Sequence, residues 1–385
     1  MRYVDEFRDP ARARALAGAI AAAVERLRAR RAPVRHSPLR FPLQFMEFCG
    51  GHTHTIFRYG IPELLPGDIE LVHGPGCPVC VLPRSHIDDC VALAGRAEVI
   101  LATFGDVLRV PGSRLSLAQA RAGGADVRMV YSPLDALALA RSHPQREVVF
   151  FAIGFETTMP ATALTLLQAA REGVTNFSLY CSHVTTLPIV QGLLEDPQLR
   201  LDGLLAPGHV SAVLGEEPFR HLVQHYRVPM VITGFEPLDV LQALLLLLGQ
   251  LERGEARLEN QYARVVRPQG NPAGRAAMWR VFELRDDAAW RGLGTVAGSG
   301  VRIREAYARY DAARRFGLEP ERETGSEPAP CAAVLKGRLA PRRCPHFGRE
   351  CTPTHPLGAL MVSAEGACAA YHRFGHREAD VGAAP

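Results

Sequence analysis

From residue 45 to about 250 one pattern recurs along the chain. A short apolar, β-branched or aromatic run ends in glycine, proline or a small polar residue, and a stretch with helical spacing follows. The runs are FMEF (45–48), IELVH (69–73), EVILATF (98–104), VRMVYS (127–132), EVVFFAIGF (147–155), FSLYCS (177–182), LDGLLAP (201–207) and VPMVITGF (228–235). Between them lie SHIDDCVALAGRA (85–97) and TALTLLQAAREG (162–173), which read as helices. Ser85 with Asp88 predicts a capping-box start for the first. Near-continuous apolar strands alternating with helices predict a parallel sheet covered on both faces. Eight strands in this span suit two doubly wound halves, 41–142 and 143–250. Ahead of them, ARARALAGAIAAAVERLRARR keeps helical spacing with Glu25 and several arginines inside it. That predicts an amphipathic helix within 1–40 packed on the body.

The style changes near 250, where a third region, 251–385, begins. Leu251–Ala263 reads as helical, 286–300 is glycine-rich around Trp290, REAYARYDAARRF (304–316) reads as a helix, and RETGSEPAP (322–330) as a loop. The last 55 residues hold four cysteines and little periodicity. Such a segment predicts a small irregular or helical domain held by something other than a core. The fold class expected is therefore α/β, two parallel-sheet domains plus this C-terminal unit.

Composition narrows the function. The chain has 385 residues, 47% hydrophobic and 22% charged, with a net charge of +4. No basic run alternates with aromatics, so no nucleic-acid partner is expected. The longest apolar run, ALLLLLG (243–249), is too short to span a bilayer, so no membrane partner is expected. Lys336 is the single lysine, which excludes a Gly-Lys-Ser/Thr phosphate loop and disfavours a lysine Schiff base. Nine cysteines without an export signal point to a reducing, cytoplasmic setting, where thiols serve as ligands or redox groups.

In doubly wound folds, ligands bind beyond the carboxyl ends of the strands. Five predicted strand ends are chemically loaded: Cys-Gly-Gly-His-Thr-His (49–54), Gly-Pro-Gly-Cys-Pro-Val-Cys (74–80), Gly-Phe-Glu-Thr-Thr (154–158), Cys-Ser-His-Val-Thr-Thr (181–186) and Pro-Gly-His-Val-Ser (207–211). Together they predict a polar cleft between two sheets. Cys49, on a glycine turn beside His52 and His54, is a candidate thiolate ligand or nucleophile. If that turn becomes helical the two histidines diverge, which favours different roles for them. Cys77 and Cys80 form a C-x-x-C in a loop stiffened by prolines, a candidate redox dithiol or metal clamp. Glu156 and Glu236 are candidate acid/base groups or helix caps. For His183 and His209, a satisfied loop histidine is the commoner case. Cys90 reads as core, and Cys181 stays open. Cys331, Cys344, Cys351 and Cys368, with 12, 6 and 16 residues between them, suit a four-cysteine metal site. Paired zinc knuckles are absent from this stretch, so the spacing favours a [4Fe–4S] cluster over zinc.

These residues jointly resemble the HypD family of hydrogenase maturation proteins. The resemblance also takes in CPHFGRECTP, EGACAAY, NQYARVV (260–266), WRGLG (290–294) and SGVRIREAYARYDA (299–312). It implies two Rossmann-like domains, a C-terminal [4Fe–4S] domain, and a scaffold role in building the Fe(CN)2CO unit of [NiFe] hydrogenases. It further implies a HypC-type chaperone and a HypE-type cyanide donor as partners. Carried over by motif, Cys49 would hold the iron, Cys77 and Cys80 would be the dithiol beside it, and Cys331, Cys344, Cys351 and Cys368 the cluster ligands. Leu360 stands where the family often has a further cysteine, and the four-cysteine frame is intact without it. Two rival functions explain fewer residues. A cluster-dependent disulfide reductase gives Cys49 and both histidines no work, and a zinc-bound interaction module predicts a colourless protein.

Overall fold

A computed structural model of the chain describes residues 5–29, 39–318 and 330–375. All but the last residue of the expected loop 322–330 lies outside the described residues. The N-terminal amphipathic helix is present as α1 (Pro10–Ala29). It buries Ile20, Ala23, Val24 and Leu27, an i, i+3, i+4, i+7 stripe, against the helix Pro237–Arg253.

All eight apolar runs become strands: β1 (Leu43–Glu47), β2 (Ile69–His73), β3 (Val99–Thr103), β4 (Val127–Met129), β5 (Glu147–Gly154), β6 (Phe177–His183), β7 (Gly203–Pro207) and β8 (Met230–Thr233). Three more follow, β9 (Leu258–Asn260), β10 (Phe282–Trp290) and β11 (Gly294–Ile303). One parallel sheet has the order β2-β1-β7-β8-β9 and a second the order β4-β3-β5-β6. Counted in each sheet's own strands, both begin 2-1-3-4, the doubly wound order. The expected α/β class holds, with an irregular and helical C-terminal region.

The sheets cut across the contiguous halves 41–142 and 143–250. The first takes β1 and β2 from one side of that division and β7 and β8 from the other. The second, β3 to β6, is inserted between β2 and β7 and straddles it. Apolar patterning marks a buried strand but does not name its neighbour, which tertiary packing decides.

Three local expectations are corrected. Leu251–Ala263 is not a helix: Pro237–Arg253 ends at Gly254, whose φ of 69° turns the chain left-handed, and β9 follows on the edge of β8. The stretch 304–316 divides into a 3-10 turn, Glu305–Tyr310, and a short helix, Ala312–Phe316, capped by Asp311 through the Ala313 N–H. Ser85 does not cap the helix Arg84–Ala94. It lies inside that helix, and Asp88 instead accepts hydrogen bonds from Ser113. The glycine-rich stretch around Trp290 is the antiparallel hairpin β10–β11. Its Arg291 N–H donates to Val81 O at 2.8 Å, and Trp290 is fully buried, so the hairpin is fastened to the C-x-x-C loop.

Candidate functional site

In the first sheet the winding reverses between β1 and β7, so their carboxyl ends define its natural ligand crevice. Cys49 stands there as the N-cap of α2 (Gly50–Arg58). Its N–H donates to Glu47 Oε2 at 2.9 Å, and the amides of Gly51 and His52 face its sulfur. Those amides favour a thiolate. Burial outweighs them, and together with the charges of Glu365 and Glu47 raises the thiol pKa. Glu47 is fully buried and accepts on its other oxygen from Thr53 Oγ1 and from His73 Nδ1, the latter at 2.7 Å. One carboxylate thus ties β1, β2 and the first turn of α2 into one unit.

The two histidines of the turn do diverge. His52 is fully buried, meets Thr233 O through Nε2 at 3.1 Å, and stacks on Phe235 with centroids 4.5 Å apart. Burial holds its pKa below the usual value. His209, from the Pro-Gly-His-Val loop, stacks on the same Phe235 ring at 3.8 Å. His54 faces the C-terminal region, with Nδ1 3.3 Å from Ala364 O and its ring edge-on to Phe374.

The C-x-x-C loop leaves β2 and runs directly beneath Cys49. Gly50 N–H donates to Gly76 O at 3.1 Å, and Gly74 N–H to Glu47 O at 2.7 Å. A Cβ on Gly76 would overlap the Cys49 backbone nitrogen, so only glycine permits this approach. Cys77 and Cys80 are joined as a disulfide and are 4% and 2% exposed. On its far side the loop meets the second sheet, where Pro78, Val81 and His86 share a small cavity with Cys181, Ser182 and His183 at the end of β6.

A single C-terminal stretch crosses this arrangement. Ser363 Oγ donates to Asp106 beyond β3, Glu365 lies on Gly50, and Gly366 packs against Cys80, where a Cβ would be 3.1 Å from Sγ. Cys368 follows in the last helix, Ala367–Phe374. Its thiol pKa is raised well above the usual value by burial and by the thiols of Cys331, Cys351 and Cys344. All four predicted cysteines are therefore gathered within electrostatic reach. Among the described residues, no three His, Cys, Asp or Glu side chains close around a single metal ion.

Other predicted residues stand apart. Glu156, in the loop after β5, is buried and uses both oxygens on Thr186, at the start of the helix Thr186–Leu194. Burial raises its pKa. Glu236 pairs with Arg8 and opens the helix Pro237–Arg253. Cys90 is fully buried core, and burial holds the Cys181 thiol at about 12. Sequence reasoning missed Glu47, His73, Asp106 and Glu365. Glu47 and His73 end apolar runs at equivalent, paired positions of adjacent strands, a signal that is only readable once β1 and β2 are paired.

The fold and site define a class: a two-sheet α/β protein that brings a free thiol, Cys49, a buried disulfide and a stretch leading to a four-cysteine group together at one crevice. The chain matches the family described as "HypD: Hydrogenase formation hypA family" over residues 20–375. It is 52% identical over 379 residues to "Hydrogenase maturation factor HypD" of Rhodobacter capsulatus, covering 97% of this chain and 98% of that one. It is 47% identical over 380 residues to the protein of the same name from Escherichia coli (strain K12), covering 99% and 100%. Similarity to "Hydrogenase expression/formation protein HupD" of Azotobacter chroococcum mcd 1 is 52% over 383 residues, covering 98% of each. The chain belongs to the HypD family.

Proposed function

We propose that this hydrogenase maturation protein is the scaffold on which the Fe(CN)2CO unit of [NiFe] hydrogenases is assembled. The observation that carries this reading is the two-residue bridge Glu365–Gly366, which touches the Cys49 turn and Cys80 and leads within two residues to Cys368. In this reading Cys49 anchors the iron that is the assembly's substrate, since iron bearing cyanide and carbon monoxide favours a soft thiolate. His52, neutral and fixed through Thr233, walls the crevice, and His54 joins the turn to the C-terminal region. Cys331, Cys344, Cys351 and Cys368 would hold a [4Fe–4S] cluster, and such a cluster would supply one-electron chemistry beside the Cys77–Cys80 pair, whose full reduction takes two electrons and two protons. Burial of that pair keeps it from other proteins' disulfides, which argues against the general reductase. A HypC-type chaperone adding a thiolate and a HypE-type cyanide donor fit as partners, because Cys49 as a residue keeps some solvent exposure at the strand-end crevice.

Infrared spectroscopy of the anaerobic protein, co-produced with those partners, tests the proposal. Cyanide and carbonyl stretching bands are expected, and they disappear in Cys49→Ala. A brown, cluster-replete protein without bands would refute the scaffold role.

A further inference from the structure

One carboxylate at the anchor has no work in the reading above. Glu365 lies directly on Gly50, the residue after Cys49: a Cβ there would overlap Glu365 Cβ and come 2.9 Å from its Oε2. Among the described residues its carboxylate has no hydrogen bond or ion pair. Its backbone, in contrast, is fixed. Glu365 N–H donates to Ser363 Oγ, and Ser363 Oγ donates to Asp106 at 3.1 Å. A side chain held at its base, exposed and unpaired at its tip, on the turn of Cys49, is placed to meet something that arrives.

We propose that Glu365 is the oxygen donor that receives ferrous iron beside Cys49 and then disfavours the finished anionic unit, so that it promotes loading and afterwards release. The inference rests on the reading of Cys49 as the anchor. Its basis is charge. Hydrated ferrous iron is a dication that accepts carboxylate oxygen alongside thiolate. With one thiolate and one carboxylate the site is neutral, and the Cys49 proton leaves to solvent as iron binds. Once two cyanides are attached, the iron with its thiolate carries net negative charge. The same carboxylate, with Glu47 and Asp106 behind it, then repels what it first attracted. The field of Glu365 and Glu47 at the Cys49 sulfur already has this sign. Among the described residues, no basic side chain pairs with Glu365 to cancel it.

The test uses the full chain, anaerobic and carrying its cluster, titrated with a ferrous salt alone. Glu365→Gln keeps the shape and removes the charge. It is expected to weaken ferrous binding roughly 10–100-fold, the range seen when supporting carboxylates of a metal site are removed. Glu365→Asp should restore most of the affinity. Equal binding by wild type and Glu365→Gln overturns the proposal. Cys49→Ala separates the two inferences. If it binds like wild type, the anchor reading falls and this proposal with it. If it loses binding while Glu365→Gln does not, the anchor stands and Glu365 alone is wrong. For release, the infrared bands of loaded protein should persist longer through repeated washing in Glu365→Gln than in wild type, and faster loss overturns that half.

Discussion

Glu47 is the residue on which the crevice turns. A single buried carboxylate accepts from the Cys49 amide, the Thr53 hydroxyl and the His73 ring. Glu47→Gln keeps its volume but turns one acceptor into a donor facing other donors. A loss of about 1–3 kcal/mol is expected, read as a lower denaturation midpoint of the cluster-replete protein. The second sheet carries a pH signature. Burial lowers His183 to about 4 and His86 to about 3, against 6.5 for a free imidazole. Both are neutral when folded, and the unfolded chain takes up their protons first. Stability from these groups is therefore whole above about pH 6.5 and falls as pH drops toward 4, by on the order of 1 kcal/mol per pH unit for each. His183→Asn should flatten that fall in a series of melting temperatures from pH 7.5 to 5.

Among the elements, the turn from β1 into α2 and the C-x-x-C loop act as one piece because backbone meets backbone between them. Gly76→Ala puts a methyl group into the Cys49 main chain, with no flexible side chain to yield. The expected cost is about 1–3 kcal/mol, together with loss of the cyanide and carbonyl bands, while the cluster colour stays. An unchanged infrared spectrum would mean that the loop can shift without disturbing the anchor. The α1 stripe makes a contrasting case. Leu27→Ala should cost about 2–5 kcal/mol of stability in a denaturant titration and leave any bands in place, since α1 packs on the far-side core of the first sheet.

At the scale of the whole molecule, the C-terminal region crosses the crevice and carries the four cysteines proposed as cluster ligands. Its stretch 363–366 reaches from the β3 end of the second sheet to the β1 end of the first and then enters the helix of Cys368. If the proposed cluster holds that helix, losing it should loosen the stretch that covers the crevice. Cys344→Ser, by removing a proposed cluster ligand, is expected to bleach the protein and expose the segment 330–375 to limited proteolysis. Resistance equal to wild type in a colourless variant would separate the covering stretch from the cluster.

The strands were legible because both faces of each parallel sheet are buried, so Val148–Phe151 or Leu204–Ala206 announce themselves without a partner. The four C-terminal cysteines stood out by type in a stretch of little periodicity, and the fold does gather them, although that stretch also buries Val334, Leu335 and Leu360–Val362 in the main core. Neither signal carries distance. Which strands share a sheet depended on packing, and so β3 to β6 proved to be an insertion that no contiguous reading of the runs contained. The helix expected at Leu251–Ala263 failed because one left-handed glycine and an open strand edge outweighed its periodicity. Glu156 and Glu236 both follow a Gly-Phe at a strand end, yet they do different things: Glu156 holds a neighbouring helix, whereas Glu236 opens its own and binds Arg8. The sequence by itself determined which residues could do thiol chemistry, because that depends on side-chain type and local spacing. The tertiary structure alone decided that His73 meets Glu47 behind Cys49 and that Glu365 lies on its turn, because contacts between residues far apart in the chain are set by how the sheets and the C-terminal stretch pack.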